Sequence, residues 1–283
     1  DDYAKIQWAV DNATAGDTII VRDGVYTENV KINKSLTIKS ENGSANCIVQ
    51  AAGHGVFYID GVLYVNTVFF VTADNVNISG FTIKGGEDGI MLYHVKNCRI
   101  AKNNVLGNEV NGIYLDGSSN NVISENNILG NWGSGIYLYA SSNNNITSNN
   151  VSRNEWDGIY LYDSSNNVIS ENNILGNRDG ISLGYSSNNL IYLNNFNNSN
   201  NVYSEESTNI WNSTSQMTYT YEGRTYTNYM GNYWSDYTGS DADGDGIGDA
   251  PYAINGDTDN YPLMQPQENY FLPAPTPTPT PTP

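Results

Sequence analysis

The chain has 283 residues, 39% hydrophobic and only 15% charged, against a usual charged fraction of about 25%. Its 12 basic and 30 acidic residues leave a net charge of −18, which repels nucleic acid and anionic membranes and favours cations as partners. Polyanionic substrates such as pectate or alginate are disfavoured too unless calcium bridges them, and no apolar run of 18 residues occurs to span a membrane.

No signal peptide is present, and the opening Asp1-Asp2-Tyr3 reads as the start of a mature chain whose leader has been removed. Residues 3–14 put Ile6, Ala9, Val10 and Ala13 on one helical face, with Gly16 as a stop. A short amphipathic helix over residues 1–16 is expected to cap the open end of whatever follows. Next come short alternating runs, DTIIVRDGVY, ENVKINKSLTIKS, CIVQAAG, GVFYIDGVLYV and TVFFVTA, read as degenerate coils. Residues 74–96 form the first clear unit, with Ile78, Ile83, Ile90 and Leu92 facing inward.

Four repeats then run from Asn97 to Ser187, with a period of 23 residues three times and then 22. Asn, Gly and Ser interrupt every apolar pair, so no window offers helical spacing. Three short strands and tight corners per unit remain, which is one coil of a parallel β-helix stacking at about 4.8 Å. The columns Ile113, Ile136, Ile159, Ile181 and Leu115, Leu138, Leu161, Leu183 face inward, as do Ile100, Ile123, Ile146, Ile169 and Val105, Ile128, Val151, Ile174. Asparagine forms ladders at 103, 126, 149, 172 and at 108, 131, 154, 177, where its amide serves the next coil and its backbone suits left-handed corners. Gly112, Gly135, Gly158 and Gly180 are expected to meet the same demand for positive φ. The expected fold is all-β: a right-handed parallel β-helix over residues 17–210.

Residues 211–264 read as a second cap. MTYTYEGRTYTNY (217–229) is a hairpin about Glu222-Gly223, with Tyr219, Tyr221, Arg224 and Tyr226 on one face and Thr218, Thr220, Thr225 and Thr227 on the other. Residues 265–283 end in alternating Pro and Thr, a stiff polyproline-like stalk suited to O-glycosylation.

The N-terminal IQWAVDNATAGDTIIVRDGVYTENVKINKSLTIKS, the NNxIxxNNIxGNxxGIYL repeats and the ending NYWSDYTGSDADGDGIGDAPY…YPLM resemble the NosD-like right-handed parallel β-helix proteins. The likeness is strongest to archaeal surface members with a Thr-Pro stalk. It implies the fold and an extracellular, envelope location, and little about activity. Copper, which the family name implies, needs imidazole or sulfur donors, and two His and four scattered Met do not supply a site.

Asp241, Asp243, Asp245, the Ile247 carbonyl and Asp249 match positions 1, 3, 5, 7 and 9 of a calcium loop, with Gly246 for the turn. At position 12 Tyr252 replaces the bidentate Glu, so Asp236, Asp257, Asp259 or water is expected to complete the shell. Gly53-His54-Gly55 resembles the Gly-His-Gly of pectin-cleaving hydrolases, but the neighbouring Asp60, Asp74 and Asp88 match no catalytic motif. Glu109, Asp116, Glu155, Asp157, Asp163 and Asp179 depart from the repeat. Asp157 and Asp179 share a column, about 5 Å apart by strand spacing, and form the candidate catalytic pair. Trp132 and Trp156 sit near them, suited to stacking on a sugar or on a neighbouring subunit.

Outward Tyr114, Tyr137 and Tyr160, with Tyr139 and Tyr162, form an aromatic strip for lateral assembly or glycan binding. Eight sequons, at Asn12, Asn33, Asn42, Asn77, Asn145, Asn150, Asn197 and Asn212, are glycosylation candidates, with Asn145 and Asn150 in repeat positions open to packing. Cys47 and Cys98 allow one disulfide or two buried thiols. The reading is a self-assembling, calcium-stabilised structural protein of a surface layer, sheath or filament. The alternative is a carbohydrate-binding or polysaccharide-cleaving module.

Overall fold

Period-2 alternation and a near-constant coil length stack like residue on like residue, and the chain closes into three parallel sheets. The computed structural model describes residues 3–53, 56–59 and 62–271. The first sheet has eight strands from Thr18–Val21 to Leu190–Tyr192, and the second nine from Gly24–Thr27 to Tyr233–Trp234. The third has eight, from Val30–Ile32 to Asn200–Glu205. In the third sheet Ile113, Ile136, Ile159 and Ile181 pair in register, as do Leu115, Leu138, Leu161 and Leu183. The Ile100 and Val105 columns stack likewise in the first and second sheets. All four columns are fully buried, worth about 1.5–3 kcal/mol per side chain.

The asparagine ladders are hydrogen-bonded rails. Asn126 donates from its backbone N and its Nδ2 to Asn149 Oδ1, both at 3.0 Å, and its Nδ2 also reaches Ile100 O at 2.9 Å. Asn108 makes the same pair of bonds to Asn131 Oδ1 at 3.0 and 2.9 Å. The conformational reason expected for these asparagines is corrected: the residue before each one takes positive φ. Lys102, Glu125, Ser148 and Glu171 have φ between 56° and 59°, and Gly107, Gly130, Arg153 and Gly176 between 54° and 66°. The corner residue turns the chain so that the next amide points inward, where only a group that both donates and accepts satisfies the coils above and below.

The glycine column is corrected in the same way. Gly112, Gly135, Gly158 and Gly180 are not among the positive-φ residues. A Cβ on Gly112 would lie 2.6 Å from Gly135 O and from Ile128 Cγ2, so what excludes a side chain is close packing of coil on coil. A third rail, Asn121, Asn144, Asn167, Asn189 and Asn209, and a serine rail, Ser118, Ser141, Ser164 and Ser186, run beside them. Their signal was present as the repeated SSNN.

Two strands expected to be coils, 56–59 and 62–65, are not part of the stack. Val56–Ile59 and Val62–Val65 pair antiparallel with each other, and the third sheet resumes at Phe69–Val71 beside Val30–Ile32. Alternation alone does not distinguish a strand that joins the stack from one that folds back on itself.

At the N-terminus the helix Ile6–Asn12 buries Ile6 and Val10. Glu28 accepts from Ile6 N and Gln7 N at 3.0 Å, and Lys34 Nζ donates to the carbonyls of Val10, Asp11 and Ala13. A carboxylate thus meets the positive end and an ammonium the negative end of the helix. At the other end Trp211 and Trp234 are buried, and Trp234 stacks between Phe196 at 4.5 Å and Tyr252 at 4.4 Å. Residues 265–271 are held in this cap, where Tyr270 is fully buried and stacks on Tyr221 at 5.1 Å. The Pro-Thr stalk beyond lies outside the described residues.

Candidate functional site

The hairpin Met217–Tyr221 and Arg224–Asn228 forms as its sequence requires, with Glu222 and Gly223 at positive φ. Its tyrosines hold the acidic loop: Tyr219 Oη donates to Asp245 O at 2.9 Å and Tyr226 Oη to Gly244 O at 2.8 Å. Gly246 has φ +88°, and a Cβ there would meet the Tyr221 and Tyr270 rings at 2.7–2.8 Å. Inside the loop Asp241 accepts from Gly244, Asp245 and Gly246 N, which turns the backbone about its carboxylate.

One carboxylate oxygen from each of Asp241, Asp243 and Asp245 lies within 4.8 Å of the others. The Asp245 carboxylate pushes Asp243 above the usual range, the signature of like charges held together. Asp249 stands outside this trio: its Oδ2 accepts from Ser240 Oγ and Ala242 N, both at 2.9 Å, and closes the loop.

The carboxylates expected to complete the shell are engaged elsewhere. Asp236 accepts from Asn201 Nδ2 at 2.6 Å and from Tyr252 Oη, and Asp257 accepts from Asn209 N and Trp211 Nε1. Asp259 is fully buried and accepts from Asn232 N, Trp234 Nε1 and Tyr261 N at 2.7, 2.9 and 3.0 Å. All three acceptors satisfy donors stranded where the coils end.

Asp157 and Asp179, the candidate catalytic pair, lie in register on neighbouring coils. Asp157 is buried and accepts from Ser134 Oγ and Ser182 Oγ, and burial pushes its carboxyl up. Asp179 turns to Arg178 Nε and Asn200 Nδ2, both at 2.8 Å. With all four oxygens committed to protein donors, neither is poised over an open face. His54 and Asp60 lie outside the described residues.

Asp88, another buried acid, accepts from Asn111 N and Nδ2 at 3.1 and 2.9 Å, in the pattern of the asparagine rails. Burial pushes it up to about 7 and Asp259 up to about 6. An unfolded Asp titrates near 3.9, so from about pH 4 to 7 the folded chain holds more protons than the unfolded one. Stability from these groups therefore falls as pH rises through that window. Asp88→Asn keeps the acceptor without the charge. It is expected to raise the thermal midpoint at pH 8 and leave it unchanged at pH 4, and an unchanged midpoint at pH 8 would refute this.

On the outer face of the third sheet Tyr114, Tyr137 and Tyr160 stack at 5.0 and 4.9 Å with ring planes 7° apart. Tyr139 and Tyr162 stack beside them at 6.0 Å, and Tyr185 meets Tyr162 edge-on at 5.6 Å. Burial and the neighbouring phenols push Tyr137 up to about 12, so its hydroxyl stays neutral.

Among the sequons, Asn12, Asn33, Asn42, Asn145, Asn150 and Asn197 are exposed, while Asn77 and Asn212 are half-buried. Asn145 and Asn150 face solvent. Asn150 Nδ2 also donates to Asn127 Oδ1 at 2.7 Å in an outward ladder, which a glycan there would break. Cys47 and Cys98 are free, buried thiols.

Three stacked parallel sheets, continuous internal rails and capped ends define a right-handed parallel β-helix protein. The chain belongs to the NosD family, whose model, described as periplasmic copper-binding protein (NosD), matches residues 10–239. It is similar to a cell surface glycoprotein of Methanothermus fervidus, 40% identical over 112 residues, 39% of this chain and 17% of that protein. Family and relative together make it an extracellular, cell-surface protein. In fold it is similar to pectate lyase Pel9A, with a TM-score of 0.55 and 13% identity over 68% of this chain and 57% of that one. It is equally similar to the gp42 tailspike of Acinetobacter phage vb_AbaP_AS12, with a TM-score of 0.55 and 13% identity over 73% of this chain and 43% of that one. The chain therefore spans less than two thirds of each of these proteins, and the two structural likenesses concern architecture alone.

The family's copper description does not fit the donors described here. His94 is exposed with the Tyr93 ring edge-on at 4.3 Å, and Met91 and Met230 are fully buried. Burial pushes the Cys47 and Cys98 thiols up to about 11, away from the thiolate a soft metal needs. Among the described residues, the group of three or more His, Cys, Asp or Glu donors that converges is Asp241, Asp243 and Asp245, an all-oxygen set suited to a hard cation.

Proposed function

We propose that this protein is a structural component of a surface layer, sheath or filament, whose copies associate side by side through the tyrosine face while calcium stiffens the C-terminal cap. The observation that carries this reading is the flat pair of tyrosine ladders, stacked at 4.9–6.0 Å on a regular sheet. Pre-stacked rings lose little freedom on contact, and a copy laid alongside buries their remaining faces. Calcium is favoured over copper by the oxygen trio, with the Ile247 carbonyl and water as further ligands. The exposed sequons suit a glycosylated surface, and the net charge of −18 disfavours nucleic acid.

Negative-stain microscopy of the purified protein with calcium and after chelation tests the reading. Ordered sheets or filaments that loosen without calcium are expected, and Tyr137→Ser with Tyr160→Ser should leave single rods. Monodisperse rods of the unaltered protein in calcium would overturn it. The polysaccharide-cleaving alternative is weakened by the engaged oxygens of Asp157 and Asp179.

A further inference from the structure

The corner between the second and third sheets carries a groove of about 510 Å³ lined by Gly85, Glu87, Gly107, Glu109, Val110 and Trp132. Coil stacking builds it: Glu109 N donates to Gly86 O and Val110 N to Glu87 O, both at 2.7 Å, and Trp132 N donates to Asn108 O at 3.0 Å. A Cβ at Gly85 or Gly107 would meet nothing within 4 Å, so the corner opens there to solvent. Trp132 is 63% exposed, a large apolar surface left in water on a backbone fixed by rails. Glu87 and Glu109 both line this one groove, and burial with the Glu109 carboxylate pushes Glu87 above the usual range.

Among the described residues no basic side chain lines the groove, which has an aromatic platform and two acceptors but no cation to receive a carboxylate. That combination excludes uronic acids and favours a ring with a cationic donor, because an indole face attracts both sugar C–H groups and ammonium. We infer that the groove binds an amino sugar bearing a free ammonium group, its ring against Trp132 and its ammonium between Glu87 and Glu109. Trp156 is not a second platform: Arg178 already lies over its ring at 5.8 Å and pairs with Asp179. This site stands apart from the tyrosine face, so it holds whether or not the proposed assembly does.

Calorimetric titration of the full chain with a β-1,4-glucosamine tetramer at pH 6 tests the inference. The tetramer is expected to bind, and its N-acetylated counterpart to bind at least tenfold more weakly. Trp132→Ala should weaken binding at least tenfold with an unchanged thermal midpoint, since the side chain is exposed. Trp156→Ala should stay within twofold. Absence of binding, equal binding of the acetylated tetramer, or a Trp132→Ala effect within twofold, the mark of general attraction to an acidic protein, would each overturn it.

Discussion

Replacing Asn149 by alanine is expected to destabilise the protein by about 3–5 kcal/mol, among the largest effects of any single substitution. Asn149 Oδ1 accepts from Asn126 N and Nδ2, and its own Nδ2 donates to Ile123 O, Thr147 O and Asn172 Oδ1. The side chain is buried, so alanine strands the Asn126 N–H and the Ile123 carbonyl where water does not reach, while Thr147 O keeps Glu125 N as a donor. Each unsatisfied group costs about 1–3 kcal/mol, and partial relaxation keeps the total below their sum. Denaturant unfolding checks this. A loss under about 1 kcal/mol would show that water enters the rail and that the ladders are not what fixes the coils.

Asp241→Asn is expected to remove most of the stabilisation that calcium gives. At free calcium 100-fold above the dissociation constant, binding to the folded state stabilises by about 2.7 kcal/mol. If losing one carboxylate raises that constant about 100-fold, the same calcium gives only about 0.4 kcal/mol. Asparagine keeps one oxygen for Gly244 N and Asp245 N but turns an NH2 toward Gly246 N, so the variant loses one loop hydrogen bond and its calcium-free thermal midpoint should fall slightly. Melting curves with calcium and with a chelator, on both proteins, separate the two terms. A midpoint of the unaltered protein that does not move with calcium would remove the metal from the proposed function.

The solenoid was legible because stacking demands the same side chain once per coil. A period of 23 residues with isoleucine, asparagine and glycine in fixed columns admits few other folds. The hairpin 217–229 was legible for a similar reason, since Glu-Gly between alternating Tyr and Thr sets both turn and register. The acidic trio Asp241, Asp243 and Asp245 was legible as a local motif, because residues two apart in a tight loop must lie close whatever the rest of the chain does.

Features that depend on one segment meeting another were not legible. Asp236, Asp257 and Asp259 sit near the acidic loop in sequence, but the cap folds them toward Tyr252, Trp211 and Trp234. Asp157 and Asp179 share a column as expected, yet Ser134, Ser182, Arg178 and Asn200 decide where their oxygens point. Glu28 and Lys34 finish a helix more than 20 residues away, which no local pattern announces. Glu87, Glu109 and Trp132 break the repeat one at a time, and only coil stacking gathers them into a groove.

By itself, then, the sequence determined the coil, its inward columns, the Tyr strip and the acidic loop, because each follows from periodicity or from neighbours in the chain. Tertiary structure alone decided which corner residues turn left-handed, why the glycine column excludes a Cβ, and which carboxylates remain open to a ligand. Those outcomes turn on packing between coils and on competition for buried donors, and neither is encoded within a single repeat.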